Sequence, residues 1–131
     1  MDRSIDRMSA VTRRVPDRWE TPALLVLLVS VVFSLGLLAS TGGDVSRLVD
    51  AGRVFTDPTR TPSSLTVDSE FGFDGQFYYR LANAPFATDR FVEGVRFDLP
   101  ALRAQRVFYP LLAWGASLGG RPGAVPWALL G

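Results

Sequence analysis

The stretch Phe71-Gly72-Phe73-Asp74-Gly75-Gln76-Phe77-Tyr78-Tyr79-Arg80 sets one carboxylate and one amide among five aromatic rings. At the head of a helix running from Gly75 to about Asn83, Asp74 would accept from the backbone amides of Gln76 or Phe77, and a helix N-terminus favours the ionised acid. The rings act in the opposite sense, because they exclude water and favour the neutral form. A carboxyl held between those influences suits proton abstraction. The same residues also fit a simpler arrangement, in which Asp74-Gly75 is only a turn or cap and the rings are core residues or membrane-interface anchors.

A second group with chemical potential lies in Asp98-Leu-Pro-Ala-Leu-Arg103-Ala-Gln-Arg106-Val-Phe-Tyr-Pro110, where two guanidinium groups stand three apart on one helix face. At a membrane boundary such residues either snorkel as anchors or clamp a lipid-linked phosphate with their planar donors, and the spacing admits both. The rest of the composition narrows the chemistry. The 131 residues include no Cys and no His, which excludes thiolate or imidazole metal sites, cysteine nucleophiles, Ser-His-Asp triads and disulfides. All 14 basic residues are Arg, and a net charge of +1 gives no case for a nucleic-acid partner. Carboxylates, Arg, Tyr, hydroxyls and amides remain.

These residues must be positioned by elements of very different polarity. No charge occurs from Thr21 to Gly43, and the run Pro22–Ser40 is long enough at about 1.5 Å per residue to cross a hydrocarbon core of about 30 Å. It reads as a transmembrane helix with Thr21 as N-cap, Pro22 as first residue and Gly42-Gly43 as its end. A cleavable signal peptide, with a mature N-terminus near Thr41, is the competing reading. Ser30, Ser34, Gly36 and Ser40 include pairs four apart that would let another helix approach closely. Arg3, Arg7, Arg13, Arg14 and Arg18 before the helix outnumber Arg47, Arg53 and Arg60 after it, which favours a cytoplasmic N-terminus.

Beyond the helix, apolar and charged residues alternate at near-helical spacing from Asp44 to Phe55, predicting a short amphipathic helix closed by Asp57-Pro58. Thr59 to Ser64, with Pro62, reads as a connector. Val107–Gly120 and Ala124–Gly131 are further apolar stretches, each too short alone to span, and the second stops within its apolar run. The expected organisation is a cytoplasmic segment 1–20, a transmembrane helix 21–43, an extracytoplasmic loop 44–106 of short amphipathic helices, and incomplete membrane helices 107–131. The expected fold class is an all-α integral membrane protein, of which this chain is the N-terminal part.

The order of a membrane helix, an external loop with Asp-Gly-Gln-Phe-Tyr-Tyr (Asp74 to Tyr79) and then Gln-Arg-Val-Phe-Tyr-Pro-Leu-Leu-Ala (Gln105 to Ala113) resembles the start of bacterial polytopic GT-C glycosyltransferases. It is similar to the mannosyltransferase-like and cell-surface-glycopolymer proteins whose first loop carries an aromatic-flanked Asp-Gly-x-x-Tyr motif. The likeness covers roughly Val45 to the C-terminus, with Phe73 where the related eukaryotic enzymes of GPI-anchor assembly carry Trp. It implies a multi-pass protein of the cell membrane that moves a sugar from a polyprenyl-phosphate donor to a glycan or lipid acceptor of the cell envelope. Asp74 then falls in the role of the base that deprotonates the acceptor hydroxyl. On chemical grounds Gln76, Tyr78 and Tyr79 are assigned to the sugar site and Arg103 or Arg106 to the donor phosphate. No cofactor is expected and no metal is required, although Asp68, Glu70 and Asp74 offer oxygen ligands for one. The alternative is a non-catalytic membrane-anchored protein whose external loop binds a partner.

Overall fold

The computed structural model describes residues 20–131; the basic residues Arg3, Arg7, Arg13, Arg14 and Arg18, on which the orientation argument draws, lie outside the described residues. The chain divides into two compact units, Met1–Val32 and Phe33–Gly131. The first helix, α1 (Glu20–Ser40), crosses that division, and it is the one described helix long and apolar enough to cross a membrane. It starts at Glu20, so Thr21 is a helical residue rather than the cap, and Pro22 sits in the first turn, where a missing N–H costs nothing. Leu24, Leu28, Val32 and Phe33 are exposed along it, at 59% or more. The helix ends at Thr41-Gly42-Gly43, where the Gly43 N–H returns to the Leu38 carbonyl at 3.0 Å.

Sequence periodicity predicted a helix from Asp44 to Phe55, and the structure departs from it. Val45–Val49 forms a short 3-10 turn capped by Asp44, whose carboxylate accepts from the Ser46 amide at 2.9 Å and the Thr66 hydroxyl at 2.7 Å. Asp50 then takes a left-handed conformation (φ 50°) and the chain leaves the helical path. It continues as β1 (Ala51–Gly52), which pairs in parallel with β2 (Val67–Ser69), while Asp57 caps a second 3-10 turn over Pro58–Arg60. The loop is therefore not all-helical. Long-range partners such as Thr66 and Ser69 outweigh a local period that carries little propensity of its own.

The centre of this unit is α2 (Gly75–Asn83), with the bounds that the sequence suggested. Its Gln76, Phe77, Tyr79, Arg80, Leu81 and Ala82 are all buried, so it is enclosed on nearly every side. A hairpin of β3 (Phe91–Val92) and β4 (Val95–Arg96) follows, turned by Glu93 and Gly94, both at positive φ as a two-residue primed turn requires. Then come α3 (Pro100–Ala104), α4 (Phe108–Ala116) and α5 (Val125–Leu130). Helices α4 and α5 have nine and six residues, well short of the roughly 20 that a span needs. They pack on α2, on each other and, for α5, on the Val45–Val49 turn, with Ala113 and Val125 joining Val49, Tyr79, Ala82 and Val95 in one core.

Two glycines bring α2 to its place. Gly72 (φ 68°) lets the chain turn between the Asp50 carbonyl and the Gly52 amide. A Cβ on Gly75 would lie 2.4 Å from the Val49 carbonyl oxygen, so the helix N-terminus can approach the 3-10 turn only without a side chain there. Gly75→Ala is expected to destabilise the unit by about 1–3 kcal/mol, since backbone must shift to make room. Gly123→Ala, with nothing within 4 Å of its Cβ, serves as the control and stays within about 0.5 kcal/mol. Denaturant unfolding of the detergent-solubilised chain measures both, and equal midpoints for the two variants would refute the close approach.

Candidate functional site

Asp74 sits at the N-cap position of α2 but does not cap it: its backbone is already helical (φ −58°, ψ −22°) and its side chain makes no hydrogen bond to the helix amides. The carboxylate turns outward to two cations. Its Oδ1 accepts from Arg103 Nη1 at 2.5 Å and its Oδ2 from Arg106 Nη1 at 3.3 Å. A charge-assisted bond from guanidinium outcompetes a neutral backbone amide, which accounts for the departure from the expected cap.

Arg103, on α3, is the pivot of this cluster. Its Nε and Nη2 form a fork on Asp98, each at 2.9 Å, its Nη1 reaches Asp74, and its guanidinium carbon lies 4.0 Å from the centre of the Phe77 ring. The side chain is 21% exposed, whereas that of Arg106 is 69% exposed and has Asp74 and the Tyr78 phenol as its partners. Arg106 lies beyond the end of α3, so the two arginines converge from different local backbones rather than along one helix face. Hydrogen bonds from Arg103 hold the Asp98 carboxyl down at about 2. In return, Asp98 first and Asp74 second push the Arg103 guanidinium above its ordinary value. For Arg106 the shift is also upward, caused first by the Tyr78 phenol and then by the charge of Asp74.

A cavity of about 80 Å³ is lined by Asp74, Phe77, Tyr78, Leu102, Arg103 and Arg106. That is room for a few water molecules rather than a sugar ring. Of the residues singled out in the sequence, Asp74, Tyr78, Arg103 and Arg106 meet here. Gln76 and Tyr79 do not. Gln76 is buried with its amide oxygen accepting from the Gly52 N–H at 3.1 Å and its amide nitrogen donating to the Phe71 carbonyl at 3.0 Å. Tyr79 is fully buried in the core, and burial pushes its phenol up to about 12. The rings expected to shelter Asp74 are divided: Phe77 is buried beneath Arg103, while Phe71 and Phe73 are 63% and 76% exposed. Among the described residues no three carboxylates gather as a metal site, so Asp68 and Glu70 do not join Asp74. Asp98, missed as a site residue, carried one signal in the sequence: an acid five positions before an Arg at a Pro-started helix.

No family model, curated protein or solved structure matches this chain.

The Asp98–Arg103 fork makes a pH prediction. The unfolded carboxyl titrates near 3.9, and the folded one near 2, so the unfolded chain binds the proton more readily. The fork's contribution to stability is therefore complete above about pH 4 and is lost as pH falls through about 2. Carbon-13 carboxyl titration is expected to give an Asp98 midpoint of about 2, moving to about 4 in Arg103→Gln. A midpoint near 4 in the unaltered chain would mean that the fork does not form in solution.

Proposed function

We propose that this chain is the first span and first external loop of a polytopic membrane glycosyltransferase of GT-C type, transferring a sugar from polyprenyl phosphate to a cell-envelope acceptor. The observation that carries the reading is the meeting of Asp74 with Arg103 and Arg106 beside Tyr78 at one partly open cavity. A base for the acceptor and cations for the departing phosphate are the two things such a displacement needs from a protein. α1, apolar and exposed along its length, supplies the membrane span, with its N-terminus in the cytoplasm and loop 44–106 outside.

In the proposed reaction an acceptor oxygen attacks the anomeric carbon, the bond from that carbon to the phosphate oxygen breaks, and polyprenyl phosphate leaves with inversion. Asp74 takes the acceptor proton. A donor headgroup exceeds the 80 Å³ cavity and so approaches from the open side, through Arg106. An exposed pair such as Asp74–Arg106 is weak, and an arriving phosphate exchanges with the carboxylate at small cost. That exchange frees one oxygen of Asp74 at the moment when donor is bound. Arg103, committed to Asp98 and Phe77, stays in place and holds the other.

A non-catalytic anchored protein that binds a partner through this loop is favoured by one observation: Gln76 and Tyr79, assigned to the sugar, are used inside the fold. The two readings separate in the full-length protein. Asp74→Asn is expected to reduce transfer by about 100-fold or more while membrane insertion is retained, and Arg106→Gln to raise KM for the donor. Undiminished transfer in Asp74→Asn would remove the base, whereas no transfer by the unaltered full-length protein would favour the anchor. Because the chain has no Cys, a single Phe73→Cys substitution reports topology: labelling by an impermeant maleimide in intact cells is expected. Labelling only after lysis would put the loop on the wrong side for an outward-facing donor.

A further inference from the structure

A second, larger cavity, of about 430 Å³, lies away from Asp74 and shares no lining residue with its cavity. Arg80 of α2 forms part of its wall and is 3% exposed. Its Nε donates to the Val95 carbonyl at 3.2 Å, its Nη2 to the Asp89 carbonyl, and its guanidinium carbon stands 4.1 Å from the centre of the Phe97 ring. Among the described residues Nη1 donates to no acceptor, and no carboxylate forms an ion pair with Arg80. Its hydrogen-bond partners are thus neutral carbonyls, and the Asp89 carboxylate offsets its charge only from beyond ion-pair distance. Two carbonyls and a ring face offset part of the cost of taking a guanidinium out of water, and an anion would offset far more.

The remaining wall suits the body of a ligand. Leu81, Pro85 and Phe97 are apolar, Thr88 and Arg90 stand exposed at the mouth, and the volume falls in the range of small-molecule sites. Arg80, Arg90 and Asp89 give the lining a net single positive charge. We propose that this cavity binds a small organic oxyanion, its charged oxygens received by Arg80 Nη1 and its carbon body by Leu81, Pro85 and Phe97. The site is independent of the role proposed for Asp74. A carboxylate and a phosphate ester share the required chemistry, and a guanidinium edge receives either.

Three probes of similar shape test this on the full chain in detergent: benzoate, phenyl phosphate and the neutral benzamide, followed through the Arg80 Nε–H resonance. Saturable shifts with one or both anions and none with benzamide are expected, the tighter anion naming the head group. Arg80→Leu is the direct variant, but it also releases the Val95 and Asp89 carbonyls and can unfold the loop. Ala87→Trp fills the cavity without touching the guanidinium and is expected to weaken binding at least about ten-fold with an unchanged melting temperature. Arg90→Gln at the rim is expected to cost only about three-fold. No saturable shift with either anion, an equal shift with benzamide, or full affinity in a folded Ala87→Trp chain would each overturn the proposal and leave Arg80 as a clip between two loops.

Discussion

The buried side-chain amide of Gln76 is the constraint on which the rest of the loop unit depends. It receives the Gly52 N–H and reaches the Phe71 carbonyl, two groups more than 15 positions apart that a short strand pair leaves without other partners. Losing it would strand buried polar groups at a cost of about 1–3 kcal/mol each, far more than one ordinary hydrogen bond contributes. Through it the turn at Gly72, strand β1 and the first turn of α2 become one body. The direction in which Asp74 leaves that body is then decided: with Gln76 and Phe77 turned in, the residue before Gly75 faces out toward α3.

What Asp74 meets there is a hierarchy of partners. Arg103 is immobilised by a fork on Asp98 and by the face of Phe77, so it is a preorganised cation rather than a mobile one. Arg106 makes one ion pair, beside the Tyr78 phenol, and is open to water. The carboxylate therefore has one strong and one exchangeable neighbour, and this inequality, more than the number of charges, makes the cluster suited to trading one partner for another. A symmetrical pair of buried arginines would lock the acid.

Much of this was legible in the sequence, and the exceptions share a cause. The bounds of α2, the span of α1 and its end at the glycine pair followed from periodicity, length and turn residues. The meeting of Asp74 with Arg103 and Arg106 was not, because it joins residues about 30 positions apart and no local pattern encodes it. The helix expected over Asp44 to Phe55 gave way to a 3-10 turn and a strand for the same reason: Thr66 and Ser69 supply partners from a distance. Gln76 and Tyr79 were read as ligand-facing because amides and phenols can be, yet in a helix buried on nearly every side such groups serve the interior. Arg80 stood beside the motif and was passed over, its burial being invisible without the hairpin and Phe97 around it.

The charges of the Asp74 cluster cancel: Asp74 and Asp98 against Arg103 and Arg106. A neutral quadrupole projects almost no field past the Debye length of about 8 Å at physiological ionic strength. An anion drifting past would feel no pull from this patch and would discover it only on touching it. Encounter would be governed by diffusion and by shape, with a rate nearly indifferent to added salt, while discrimination is deferred to the last contact.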